Sequence, residues 1–459
     1  MADAKIEEIV CEDRISALPE DLLVTILLHV PIKDAISTMI LSKRWCFIWT
    51  SLPKLEYDFF SDNDEDDDDK VVDSDDDDDE SKMTSWCFFD KSMELHKAPV
   101  LKTLLIKLGL GPGCFSDTDV EKWIAKAVDG RVVVLKFKLS WSNGPTRLPK
   151  SLYTCETLKK LTLSHKILLD FPSSSLLPSL EFLELLFVVY KDDASLDSFF
   201  SHCPVLYILV VKRNRRNRDD NITNFSVKIP SLGGLFYVSD EIISSLPDED
   251  EVVDTGKCLA IDTPALLDLT IIDHSGDSFS IEDMPCLEFA LINVKSFPNI
   301  DKWKTSLSAV QSLMLYMPDQ VVLPFSTVKF SRLMKLRICP HRSDWLEALV
   351  LLLKNAPKLT ELLVDYAFTP EGIPLSWIQP SSIPGCLSSQ LKSFEYIEYG
   401  GREEEKEFVM YILANSKRLK KAIISVKPDL EDKNLIIEEL RDIPKVSTFV
   451  EMVIVLDDA

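Results

Sequence analysis

The stretch Leu158-Lys159-Lys160-Leu161-Thr162-Leu163 packs an apolar residue, two variable positions, a second apolar residue, one variable position and a third apolar residue into six residues. The frame recurs upstream at Leu101/Leu104/Ile106 and Val132/Leu135/Phe137. Downstream it recurs at Leu180/Leu183/Leu185, Leu206/Leu209/Val211 and, more loosely, Leu232/Leu235/Tyr237. It continues at Leu266/Leu269/Ile271, Leu287/Ala290/Ile292, Val310/Leu313/Leu315, Leu333/Leu336/Ile338 and Leu359/Leu362/Val364. Leu391/Phe394/Tyr396 and Leu419/Ala422/Ile424 bring the copies to thirteen, with first residues 21 to 34 apart. In an extended segment alternate side chains share a face, so the second and third apolar residues of each frame point into a core that neighbouring copies complete.

That spacing is close to the ~20–29-residue period of leucine-rich repeats. Proline sits two residues before the frame in Pro178-Ser-Leu180, Pro204-Val-Leu206, Pro230-Ser-Leu232, Pro264-Ala-Leu266, Pro285-Cys-Leu287 and Pro357-Lys-Leu359. There it stiffens the turn into the strand and stops any preceding helix. Amphipathic pieces between frames, such as Leu346 to Leu353, read as return helices. The expected fold class is α/β: a solenoid over 86–380 with parallel strands on its concave face and helices on the convex one. Variable strand positions that would present side chains to a target on the concave face include Lys159, Lys160, Glu181, Phe182, Lys335 and Glu361.

The chain has 459 residues, 51 Lys plus Arg and 75 Asp plus Glu, for a formal charge of −24. Fourteen of the acids lie between Asp62 and Glu80, leaving an ordinary acidic surface elsewhere. This balance argues against binding nucleic acid or acidic membranes through the bulk surface. Residues 61–82 have the low hydrophobicity and high charge of a disordered linker. Self-repulsion favours an extended tether, expected to separate the two ends of the molecule. No apolar run approaches the ~20 residues that span a bilayer, and Met1-Ala2-Asp3-Ala4-Lys5 does not lead into a signal-peptide apolar block, so a soluble, non-secreted protein is expected. Ten scattered cysteines with no CxxC read as reduced core residues and carry no metal expectation.

Ahead of the acidic run, 13–60 reads as a compact helical segment after a short tail, 1–12. Leu22, Leu23, Ile26, Leu27 and Val30 recur at helical spacing, Glu20 and Asp21 suit the first turn, and Pro31 stops the helix. A second helix follows over Lys33 to Leu41, and a third contains Lys43-Arg44-Trp45 and Ile48-Trp49. About 45 residues cannot bury all these apolar groups, which implies a hydrophobic partner surface. The segment closely resembles the F-box of plant proteins in Asp13-Arg14-Ile15-Ser16, Leu18-Pro19-Glu20-Asp21-Leu22-Leu23, Leu41-Ser42-Lys43-Arg44-Trp45, and Trp49 followed by Leu52-Pro53. The resemblance implies a three-helix module docking on a Skp-type adaptor, and through it on a cullin and a RING protein. It carries over Leu18, Pro19, Leu22, Leu23, Ile26, Leu27, Val30 and Pro31 as adaptor contacts. Ile36, Leu41, Trp45 and Trp49 are shared between interface and internal core, and of the apolar residues here Ile40, Trp45 and Ile48 are expected inside.

The last segment, 382–459, resembles the FBD module that closes many plant F-box proteins with leucine-rich repeats. The match is strongest in Ser389-Gln390-Leu391-Lys392, in the Gly400/Glu405/Phe408-Val409 helix entry and in Asn415 to Ile424. Its expected elements are a strand from Leu391, a helix over Glu403 to Asn415, a second helix around Leu435 to Leu440 and a strand over Phe449 to Val455. It reads first as a cap on the solenoid's open edge.

Other features carry less. Gly109-Leu-Gly111-Pro-Gly113 lacks the Lys-Ser/Thr of a phosphate loop and reads as a turn. Lys212-Arg213-Asn-Arg215-Arg216-Asn-Arg218 reads as a solvated loop. No Ser/His/Asp, Cys/His or metal-spaced set is legible, so neither a cofactor nor bond chemistry is expected. The family resemblance implies the non-catalytic, substrate-recognition subunit of a cullin-based ubiquitin ligase, acting in the nucleus and/or cytoplasm on an unknown protein target. A non-ligase scaffold and a small-molecule receptor are the competing classes.

Overall fold

The structure, a computed structural model, describes residues 15, 17–58, 87–108, 117–139, 144–165, 167–172, 175–213, 221–239, 257–274, 278–295, 300–317, 327–341, 345–367, 375–428, 430, 433–444, 446 and 450–456. The acidic run 62–80, the Gly109–Gly113 turn and Arg215, Arg216 and Arg218 lie outside these. The chain divides into two compact units, 1–189 and 190–459.

In the first unit five parallel strands run side by side: Lys54–Asp58, Thr103–Leu108, Val134–Leu139, Lys160–His165 and Phe182–Leu186. The second apolar residue of each frame stands in register with that of the next, giving the column Leu55, Leu104, Leu135, Leu161, Leu183. The second unit repeats the arrangement over ten strands, from Ile208–Arg213 through Gly234–Ser239, Asp268–Asp273, Phe289–Val294, Ser312–Met317, Lys335–Pro340, Glu361–Asp365, Ser393–Tyr399 and Lys421–Val426 to Glu451–Leu456. Every residue of the thirteen frames is buried, none more than 2% exposed, including the loosest copies at Leu232 and Leu287. Each unit therefore stacks equivalent apolar layers, and each fully buried Leu, Ile or Phe contributes roughly 1.5–3 kcal/mol of transfer free energy.

The return limbs are more varied than the expected helices. Asp117–Asp129, Asp193–Ser201, Ile300–Ser308 and Trp345–Asn355 are helical. Asn224–Lys228, Cys258–Asp262 and Ser278–Ile281 instead build a second, three-stranded parallel sheet in the second unit. In its first strand Phe225, Ser226 and Val227 are buried between exposed Asn224 and Lys228, with Phe225 and Val227 on one face of the strand. The Asp193 carboxylate anchors this strand, accepting from Thr223 N at 3.0 Å, Thr223 Oγ1 at 2.6 Å and Asn224 N at 3.0 Å.

One boundary falls elsewhere than expected. The strand Lys54–Asp58 precedes the acidic run and already belongs to the repeat sheet, so the run enters the chain inside the first repeat and does not separate the N-terminal segment from the repeats. The physical reason is in Leu52, Leu55 and Tyr57, which form one more copy of the frame and are 2%, 0% and 1% exposed. At the other end, Ser393–Tyr399, Lys421–Val426 and Glu451–Leu456 extend the sheet. The helices Glu403–Asn415 and Lys433–Asp442 connect these strands.

Candidate adaptor-binding surface

The N-terminal segment is built from helices Glu20–Leu27 and Ile32–Ser37, then 3-10 turns at Thr38–Ile40 and Trp45–Ser51. Proline opens both α-helices, Pro19 with φ −55 and Pro31 with φ −56, angles the ring enforces and the helix start accepts. The third expected helix is the 3-10 segment. Its i, i+3 eclipse places Trp45 and Ile48 on one side, and Trp45, Ile48 and Trp49 are 4%, 6% and 1% exposed. The turn ahead of the first helix is fixed by Leu18 N donating to the Ile15 carbonyl at 3.0 Å and by the Arg44 guanidinium donating to the Leu18 carbonyl.

The first helix sorts its apolar residues by face. Leu23 and Leu27 are 0% and 3% exposed and form the interior; Leu22 and Ile26, at i and i+4, are 49% and 42% exposed and form an outer stripe that Val30, 39% exposed in the turn after the helix, continues. Pro19, Pro31 and Leu41 are also exposed, and Leu18 and Ile36 are half-buried. Of the twelve expected contacts, Leu23, Leu27, Trp45 and Trp49 are therefore interior and support the surface from beneath. Ile40, expected inside, is 88% exposed, and Phe47, not singled out from the sequence, is 64% exposed. The signal for both was present: Ile36 and Ile40 share a helical spacing, and Phe47 lies off the Trp45/Ile48 side. Within residues 15–47 Ile15, Leu22, Ile26, Val30, Ile40, Leu41 and Phe47 are thus large apolar side chains left exposed.

This face is joined to the first repeat. Lys97 N donates to the Thr50 carbonyl at 2.8 Å, His96 Nε2 meets the Leu52 carbonyl at 2.8 Å, and Thr103 N donates to the Pro53 carbonyl at 3.1 Å. Burial lowers the His96 pKa, so the ring is neutral at pH 7 and presents its N–H to the Leu52 carbonyl. The helical residues 87–95 add Phe89, whose ring meets Tyr57 and Trp123 edge-on at 4.7 and 4.6 Å, and Ser92, whose hydroxyl donates to Tyr57 Oη at 2.7 Å. Burial pushes the Tyr57 phenol up to about 12.

The six expected target-facing residues lie at the entry edge of the strands, exposed except for half-buried Phe182. They come together in twos. Lys159 pairs with Glu181 at 2.7 Å, Lys335 with Glu361 at 2.9 Å, and Lys160 stands opposite Phe182 in the sheet. Two other groups were not foreseen. Arg213 turns inward at 2% exposure, donating to Tyr237 Oη at 3.2 Å and lying 5.0 Å from the Phe225 ring centre, so this member of the basic run is not in a solvated loop. Asp365, 1% exposed, accepts from Arg337 through Nε at 3.1 Å and through Nη2. Burial pushes Cys203 and Cys339 up to about 12 and Cys386 to about 11, so these thiols are protonated at pH 7 and unsuited to thioester formation.

Three family models match the chain: "F-box domain" over 15–57, "FBD-associated F-box protein At5g56370, LRR repeats" over 120–246, and "FBD" over 379–424. A "Putative FBD-associated F-box protein At1g05080" of Arabidopsis thaliana is 52% identical over 458 residues, covering 98% of each chain. The chain belongs to the FBD-associated F-box family. A "Putative F-box/FBD/LRR-repeat protein At1g22000" of the same plant is 43% identical across 96% of this chain and 91% of its own length. An "FBD-associated F-box protein At4g10400", also from Arabidopsis thaliana, is 36% identical across 96% and 99%. The F-box match ends at residue 57, inside the first strand of the repeat sheet, so in this FBD-associated F-box protein the F-box and the first repeat share residues. The FBD match spans Ser393–Tyr399, Glu403–Asn415 and the start of Lys421–Val426.

Within the FBD, Glu405 is the organising group. It is 1% exposed and accepts from Tyr396 Oη at 3.0 Å, Gly400 N at 3.1 Å and Arg402 N at 3.0 Å. Burial raises its pKa, partly offset by those donors. Tyr396 is itself a frame residue, so the carboxylate ties the helix N-terminus to the repeat core. Among the described residues no helix is long and apolar enough to cross a membrane.

Proposed function

We propose that the chain is the substrate-recognition subunit of an SCF-type E3 ubiquitin ligase, acting in the nucleus and/or cytoplasm. F-box proteins generally fill this role. The observation that carries the reading is the outer stripe of Leu22, Ile26 and Val30 with Ile40, Leu41 and Phe47, an apolar face within the segment matched by the F-box model. The partner for that face is a Skp-type adaptor, which brings a cullin and a RING protein. The repeats hold a protein target. The chain supplies no bond chemistry: its contribution is proximity, turning the encounter of target and loaded conjugating enzyme into one of high effective concentration. The test is direct binding of the purified full chain to a Skp-type adaptor by calorimetry, with and without Leu18→Ala/Pro19→Ala. Binding of the intact chain that the variant loses, at unchanged circular dichroism, supports the reading; a folded chain that does not bind favours a scaffold without ligase function.

A further inference from the structure

Over four adjacent repeats of the second unit the strand-entry edge carries a charge opposite to that of the chain as a whole, whereas the earlier repeats place Asp268 and Glu288 there. Arg332, Lys358, Gln390 and Arg418 each immediately precede the first apolar residue of their repeat. The next column is aligned by backbone hydrogen bonds: Thr360 N donates to the Met334 carbonyl at 2.9 Å, Lys392 N to Thr360 at 2.8 Å and Lys420 N to Lys392 at 2.8 Å. Beside it, Lys335, Glu361, Ser393 and Lys421 are paired in register. Four adjacent repeats thus set seven exposed cations against one carboxylate, in a protein of net charge −24, and the next strand places a second, Glu451, opposite Lys421. Glu361 is matched by Lys335, and among the described residues the other six cations make no ion pair.

The edge also has relief. Gln311, Arg332, Met334, Lys358, Thr360 and Gln390 line an open cavity of about 340 Å³, so the first two columns face one space. Two amides, a hydroxyl and a thioether lie among the cations there. These groups suit a peptide, whose backbone takes hydrogen bonds and whose side chains alternate, better than a uniform polyphosphate. Four strands at ~4.8 Å spacing span roughly 14 Å, the reach of four to five extended residues.

We propose that this edge binds an extended Asp/Glu-rich segment of the target protein. The inference rests on the substrate-recognition reading and names the chemistry of the target. Within the array, Lys392 and Lys420 form the centre of the charge, Arg332 and Lys358 flank the cavity, and Arg418 and Lys421 extend the row.

The test is fluorescence anisotropy of a labelled peptide of alternating Glu and Ala on the full chain, and on a second chain whose acids at 62–80 are changed to amides so that they do not compete. Saturable binding in either chain, weakened about tenfold or more from about 50 to about 300 mM salt, is expected. Lys392→Glu/Lys420→Glu and Arg332→Glu/Lys358→Glu, all at exposed positions, should each reduce affinity at least tenfold at unchanged melting temperature; Lys91→Glu/Lys122→Glu, at exposed helix positions of the first unit, should not. Absence of binding in both chains, or equal affinity in the edge variants, overturns the proposal. So does tighter binding of a single-stranded oligonucleotide or a phosphopeptide of the same length. Adaptor affinity, measured on the same samples, reports separately on the ligase reading.

Discussion

Leu22 and Leu23 are neighbours in sequence with opposite roles in the structure, and separating those roles tests the F-box surface most sharply. Leu22 and Ile26 are 49% and 42% exposed, whereas Leu23 and Leu27 are 0% and 3% exposed. Complete burial of a Leu or Ile side chain contributes roughly 1.5–3 kcal/mol, so covering the exposed fractions of Leu22 and Ile26 contributes about 1.4–2.7 kcal/mol in sum. At ~1.4 kcal/mol per decade, Leu22→Ala/Ile26→Ala should weaken adaptor binding roughly 10- to 100-fold. The chain's own stability should change by about 0.5 kcal/mol or less for each exposed substitution. Leu23→Ala should do the reverse, costing about 2–5 kcal/mol of stability through the cavity it leaves. Calorimetric titration with the adaptor, beside thermal melts, separates the effects. If the Leu22/Ile26 variant keeps its affinity within about twofold at an unchanged melt, the outer stripe is not the interface and the argument from exposure fails.

Further outcomes follow from three buried polar groups. Glu405→Ala strips the acceptor from three donors at 3.0–3.1 Å and should destabilise the FBD by about 2–4 kcal/mol in urea melts. Because burial raises its folded pKa above the ordinary 4.5, the folded state binds the proton more tightly; Glu405 therefore favours folding more as pH falls toward 4.5, and Glu405→Gln should remove that slope. His96 acts oppositely: its folded pKa lies below 6.5, the unfolded chain takes up the extra proton, and stability should fall as pH drops through 6.5, a loss that His96→Gln should reduce in melts across that range. Asp365→Ala leaves Arg337, whose side chain is 40% exposed and can be solvated, without its carboxylate and should cost about 1.5–3 kcal/mol by thermal melt.

The repeat frame was legible because each copy needs three large apolar residues at fixed offsets, and nothing in the chain competes with that demand. The first copy, Leu52/Leu55/Tyr57, was equally present but sits between the Trp49 signature and the acidic run, so its residues read as the tail of one module and the approach to another. Phe225 and Val227 share one face of a strand, yet the expectation of a return helix hid them. On the F-box, spacing alone located the helix but left Leu22 and Leu23 equivalent. Which of two adjacent leucines faces out depends on where Trp45 and Trp49 pack, a tertiary fact. The paired cations and carboxylates of the strand entries were legible as exposed positions, but their partners lie 22 and 26 residues away and become neighbours only when the strands stack in register.

The shared residues at 52–57 also decide how the F-box responds when the repeats are disturbed. Trp49, Leu52, Leu55 and Tyr57 are buried in succession, and Thr50, Leu52 and Pro53 carry the hydrogen bonds to Lys97, His96 and Thr103. No free chain intervenes between the last turn of the F-box and the first strand, so the two should open as one cooperative unit. Tyr57→Ala removes a ring that is 1% exposed and packed on Phe89, at a cost of about 3–5 kcal/mol. Hydrogen exchange should then show protection falling by a similar free energy in Thr103–Leu108 and in the amides of Glu20–Leu27, although Tyr57 lies well outside that helix. If the helix amides keep their protection while the strand loses its own, the F-box folds separately, and its distance from the repeats is set by chain flexibility. If both fall together, the first F-box helix is held by the same core that holds the first repeat, and the F-box and that repeat keep a fixed distance.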